Sequence, residues 1–168
     1  MRTVVKNKEL VLTLIGQIDH LMKALEATME EARVKVNEFK QLQPSSFDLR
    51  GLGSLLHDFF TTIEDIFEQI SADVNGSLPD TPEWHKQLLI RMSIPIPGLR
   101  PAVISEGLRW ELDEYLRFRH LFRNVYGYLL DWKRLKPLFG RMEDTYQQFS
   151  HEVNIFRTFM LQLAEQLD

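Results

Sequence analysis

Apolar residues recur along this chain in steps of three, four and seven, the spacing that holds one stripe on one side of a helix. Leu14, Ile18, Leu21, Leu25, Ala32, Val36 and Phe39 form the first stripe. It predicts a helix from about Asn7 to Leu42, stopped ahead of Pro44, whose ring disfavours helix at and before itself. A second stripe comprises Leu52, Leu55, Leu56, Phe59, Ile63, Ile66, Phe67, Ile70 and Val74. Its end is marked twice, by Asn75-Gly76 as a left-handed cap and by Pro79 beyond it. A third, shorter helix is predicted from Thr81-Pro82, with Asp80 and Glu83 spaced like a capping box. It carries Trp84, Leu88, Leu89 and Met92.

The stretch Ile94-Pro95-Ile96-Pro97-Gly98-Leu99-Arg100-Pro101 cannot be helical and predicts an extended connection within one domain. Ser105 is placed to cap a fourth helix reaching about Leu129, with Leu112, Tyr115, Leu116, Phe122 and Leu129 toward the core. Asp131 can cap a short turn through Leu135. A last helix then runs from Pro137 or Leu138 to Leu167, with Phe149, Val153, Phe156 and Met160 on one face. No alternating pattern of strand type survives between these segments. The expectation is an all-α protein, an antiparallel bundle of four to five helices forming a single domain over residues 1–168.

Composition narrows the chemistry. The chain has no cysteine, which excludes disulfides, thiolate catalysis and cysteine-built zinc sites. No apolar run approaches the length of a membrane span, and the first residues lack the pattern of a signal peptide, so a cytoplasmic protein without membrane contact is expected. The net charge of −4 argues against general coating of nucleic acid, but leaves room for one local basic site. Such a site is visible. Between Glu114 and Lys136 six basic residues (Arg117, Arg119, Arg123, Lys133, Arg134 and Lys136) face only two acids, Glu114 and Asp131. Arg119, Arg123 and Tyr126 sit at i, i+4 and i+7, on one face of the fourth helix. For an arbitrary helix the ordinary meaning of such a face is a solvated stripe.

Several ordered pieces change that weighting. They are Ile63-Glu64-Asp65-Ile66-Phe67-Glu68, Val74-Asn75-Gly76-Ser77-Leu78-Pro79, Trp84-His85-Lys86-Gln87-Leu88-Leu89 and Arg100-Pro101-Ala102-Val103-Ile104-Ser105. After them come Phe118-Arg119-His120 through Tyr126-Gly127, and Leu130-Asp131-Trp132. With these, the chain from about Phe59 to Leu138 resembles the HepT-like branch of the HEPN superfamily, helical proteins that include ribonuclease toxins working beside a small nucleotidyltransferase. The resemblance implies metal-independent RNA cleavage, by attack of the 2′-hydroxyl on the adjacent phosphate. It implies that Arg119 is the motif arginine, His120 the polar position after it and Tyr126 the motif tyrosine, a target for nucleotide transfer. The motif histidine falls on Asn124. An arginine can stabilise charge on a phosphorane, but an amide has no proton equilibrium near neutrality. The expected site is therefore Arg119, Asn124 and His120, with Arg123, Arg117 and Tyr126 toward phosphate, and no metal or cofactor.

Three functions follow. One is a toxin-type endoribonuclease with an altered and impaired site. The second is an RNA- or nucleotide-binding module that does not cut. The third is the helical, substrate-binding-like partner of a nucleotidyltransferase antitoxin. The resemblance also implies a homodimer with Arg119 and Arg123 facing a groove shared by two subunits. Elsewhere the signals are weak. Glu64 and Asp65, near His57 and Asp58, read as a solvated acidic face and not as a metal cluster. Trp84, Trp110 and Trp132 read as packing anchors.

Overall fold

A computed structural model of the protein describes residues 7–124 and 130–167. Its helices are α1 (Lys8–Glu38), α2 (Ser46–Ile70), α3 (Trp84–Met92), α4 (Glu106–Asn124) and α5 (Trp132–Glu165), with no strand among the described residues. The all-α bundle expected from the periodicity is what forms. Asn7 caps α1 by accepting from the Glu9 amide. Ser45 and Asp48 close a reciprocal capping box at the start of α2.

Helix α2 lies at the centre and packs against the other four. Its Phe59, Phe60 and Phe67 are fully buried beside Tyr115 of α4 and Phe149 of α5. The Phe59 and Tyr115 rings lie 5.0 Å apart, and the Phe67 and Phe149 rings 5.8 Å apart. Helices α1 and α5 run antiparallel, since Asp19 holds Arg157 while Arg33 holds Glu143. The same holds for α4 and α5, where Ser105 meets Glu152 and the Tyr115 hydroxyl donates to the Leu138 carbonyl at 2.8 Å. Where α2 faces the end of α4, Gly53 allows a close approach: a Cβ there would stand 2.8 Å from the Phe122 ring.

The end of α2 loosens into a π-turn, Ser71–Asn75, and stops at Gly76 in the left-handed conformation expected of it. The segment between α3 and α4 is ordered and non-helical, as its prolines require, with only a single isolated bridge between Ile96 and Arg100. Arg100 is 4% exposed and holds this segment together. Its guanidinium donates to the Asn75 side-chain oxygen and to the carbonyls of Ile94, Pro101 and Arg91, at 2.9–3.1 Å.

Three expectations need correction, and one lies beyond the described residues. Helix α3 begins at Trp84, not at Thr81-Pro82, because Glu83 is not extended and the Asp80/Glu83 box does not form; the Trp84 amide closes a turn onto Thr81 instead. The turn at Asp131 and the last helix are one helix, with Pro137 inside it. A proline in the second turn forfeits one backbone hydrogen bond, and the neighbouring Leu135, Leu138 and Phe139 are buried and keep the helix seated. Helix α4 is described to Asn124, and the stretch to Leu129 lies outside the described residues. Trp110 is no anchor: it is exposed, with the Arg109 guanidinium 4.3 Å over its ring. Trp84 and Trp132 do pack against the core.

Candidate functional site

Helices α2, α3 and α4 meet around Arg119. The reason lies in the sequence of α2 and the π-turn after it, where Leu56, Phe60, Glu64, Phe67 and Ser71 follow one another at steps of four, four, three and four, all of them buried. Glu64 thus occupies an interior row of a helix covered on several sides. It is 3% exposed, which corrects its reading as part of a solvated face. Asp65, one position on, is half-buried.

The buried carboxylate has two partners. Its Oε2 lies 2.7 Å from His85 Nδ1 on α3, and its Oε1 lies 3.5 Å from Arg119 Nη2 on α4. The ring is closed by Arg119 Nη1, 3.4 Å from His85 Nε2. Arg119 is itself only 7% exposed, and its Nε is buried without a hydrogen-bond partner. Its charge therefore faces inward, toward an acid and an imidazole of its own chain.

Burial governs titration here. It pushes the Glu64 carboxyl up to about 7, against the pull of Arg119. Burial likewise raises Asp65 and Glu68, again with Arg119 opposing. The His85 imidazole is pushed down to about 4, first by burial and then by Arg119 and Arg123, so it is neutral at ordinary pH. His120 is lowered as well, by burial first and then by His85 and Arg119.

The remaining motif residues lie outside this core. His120 is exposed, its ring 5.8 Å from His85 and edge-on to it. Arg123 is exposed. Arg117 is exposed and paired with Asp113 at 2.9 Å and Glu114 at 3.5 Å. Asn124 turns its amide back onto its own helix, donating to the His120 carbonyl at 2.8 Å. Tyr126 lies outside the described residues. Among the described residues no cluster of acids and histidines is arranged to hold a metal, and no helix is long and apolar enough to cross a membrane.

Sequence reasoning missed Glu64 and His85 as members of the site. Phe60 was the available signal, since it completes the apolar row that runs through Glu64. His85 gave only its place within a family-like stretch. A family model described as HepT-like protein matches residues 51–160. No curated protein matches the chain, and no solved structure does.

Proposed function

The chain belongs to the HepT-like protein family, and from that premise we propose that it binds single-stranded RNA at an altered ribonuclease-type site with little or no capacity to cut. The observation that carries this reading is Asn124. It stands where the resemblance requires a histidine, and its amide is spent on the His120 carbonyl. Cleavage by the 2′-hydroxyl needs a group that exchanges protons near neutrality. At this position there is none. Exposed Arg123 is left to hold phosphate, while Arg119 acts from behind with its charge partly answered by Glu64.

Purified protein should bind short single-stranded RNA weakly, and less as salt rises. Replacing Asn124→His should raise metal-independent cleavage by about 10²–10⁴-fold, with a pH dependence centred near a histidine pKa of roughly 6.5. Arg119→Ala should remove the restored activity in protein that circular dichroism shows to be folded. If Asn124→His changes nothing while a small nucleotidyltransferase binds tightly, the face is an interaction surface and the RNA reading is wrong. In the same proposal two copies of the chain pair through α4, so that exposed His120 and Arg123 line a common groove; light scattering tests this.

A second reading rests on His120. Its ring is exposed one position from Arg119, and burial keeps its pKa below the ordinary value, so it is neutral and able to accept a proton at neutral pH. Brisk cleavage by the unaltered protein that His120→Ala abolishes would make His120 the proton carrier.

A further inference from the structure

A cleft of about 200 Å³ opens between the start of α3 and the middle of α4. Glu83, His85 and Lys86 line it from the α3 side, and Asp113, Arg117 and His120 from α4. The fourth-helix motif leaves most of it unused. Two features make it a built pocket. Its aromatic lining is preassembled: His85, backed by Trp84 at 3.6 Å, meets His120 edge-on at 79°. Both nitrogens of His85 are engaged, by Glu64 and Arg119, so the ring offers a fixed heteroaromatic surface. The second feature is Asp113, which is 8% exposed yet borders the cleft. Arg117 Nη2 holds one of its oxygens at 2.9 Å, and the carboxylate keeps further capacity to accept.

The charges around the opening define the occupant. Lys86 and Arg117 donate; Glu83 and Asp113 accept. A bare phosphate would meet two carboxylates. An apolar side chain would strand four charges. A flat ring with acceptors and donors adjacent on its edge satisfies all of them, and bases of unpaired RNA are read in this way, stacked on aromatic rings and bonded along their edges. Guanine fits best. Its O6 and N7 accept from cations, while its N1–H and amino group can be shared by a carboxylate. Adenine lacks the carbonyl acceptor, and the pyrimidines lack N7.

We propose that the cleft between α3 and α4 binds guanine, stacked on the histidine wall, with Glu83 and Asp113 taking its donor edge and Lys86 and Arg117 its acceptor edge. The base comes from an RNA strand or from a free guanine nucleotide, and only the first source rests on the RNA-binding reading.

Titration of the full chain with GMP, AMP, CMP and UMP, followed by the imidazole and indole NMR signals, tests the pocket. Titration with guanine-containing and guanine-free RNA octamers tests the source. GMP should bind at least about tenfold more tightly than the other three nucleotides. His120→Ala should weaken it by a few-fold through loss of the ring that meets the stacked base edge-on. Glu83→Gln and Asp113→Asn should each erase the preference for guanine. Glu83 and His120 are exposed, so their variants should keep the fold and decide the matter even if Asp113→Asn does not. Equal binding of all four nucleotides, or a guanine preference that survives both carboxylate changes, overturns the proposal. RNA bound without base preference while GMP is ignored overturns the pocket and leaves the RNA reading standing. GMP bound selectively with no RNA bound overturns the RNA reading and makes the cleft a free-nucleotide site.

Discussion

Among the described residues two arginines are buried to nearly the same degree, and they are buried differently. Arg100 sits in the proline-rich segment and meets neutral acceptors, with three carbonyls and the Asn75 side chain bonded to every nitrogen of its guanidinium. No carboxylate is bonded to it, and burial pulls its pKa down to about 10, which leaves it charged at neutral pH. Arg119 meets Glu64 and His85 at longer range, and its Nε goes unmatched. The first arrangement uses nearly all of a guanidinium's fork to fix a chain that has no helical hydrogen bonds of its own. The second leaves a donor unused and sets titratable groups against one another. Buried polar networks that are saturated specify a fold; those that are not mark places where something else was required.

The largest effect should come from the saturated arginine. Arg100→Ala removes four charge-assisted bonds and strands part-buried carbonyls, and should cost about 4 kcal/mol or more. Arg100→Lys should rescue little, because an ammonium has three donors and no planar fork. Urea denaturation checks both. A loss under about 1 kcal/mol for Arg100→Ala would show that the prolines alone hold the segment and that the two arginines do not differ in structural weight.

At the other arginine the two partners should be unequal. Glu64→Ala leaves the buried Arg119 guanidinium without its carboxylate partner, at a cost of roughly 3 kcal/mol or more. Arg119→Met is milder, about 1–2 kcal/mol, because Glu64 already titrates near 7 and can neutralise itself by taking a proton. The same denaturation experiment decides this. Equal losses for the two variants would mean that packing, and not uncompensated charge, dominates the corner.

That asymmetry also shows what could be read in advance. The helices were legible because their stripes are long and their stops are strong: Gly76 and the prolines after Ile94 act through backbone sterics that tertiary contacts rarely override. Pro137 misled because a proline in a second helical turn costs one bond, and a well-buried face outweighs it. Arg119, His120, Arg123 and Asn124 could be picked out since the motif lies within one helix. Glu64 and His85 could not be paired with them, because that pairing depends on how three helices cross. A charged residue on an amphipathic helix reads as solvated until the helix is known to be covered on that side.

The smallest effect, and the sharpest test of the coupled corner, is in pH. Glu64 rises from 4.5 unfolded to about 7 folded, so on folding it takes up a proton between those values, and this contribution to stability weakens as pH rises through the window. His85 falls from 6.5 to about 4, so it gives up a proton on folding, and its contribution strengthens as pH rises from about 4 to 6.5. From 4.5 to 6.5 the two slopes oppose and nearly cancel; between 6.5 and about 7 only Glu64 remains. The stability difference between the unaltered protein and the double variant Glu64→Gln/His85→Gln isolates the pair from Asp65 and Glu68, which burial also shifts. That difference should be flat to within about 1 kcal/mol across the shared window and then fall by less than about 1 kcal/mol. In His85→Gln alone the balance is removed, and stability should decline toward pH 7 at up to about 1.4 kcal/mol per pH unit. Arg100, bonded only to neutral groups, adds no slope of its own here. A steep decline of that difference across the shared window would mean that Glu64 takes its proton without His85 losing one, and the balance between the two groups would not exist.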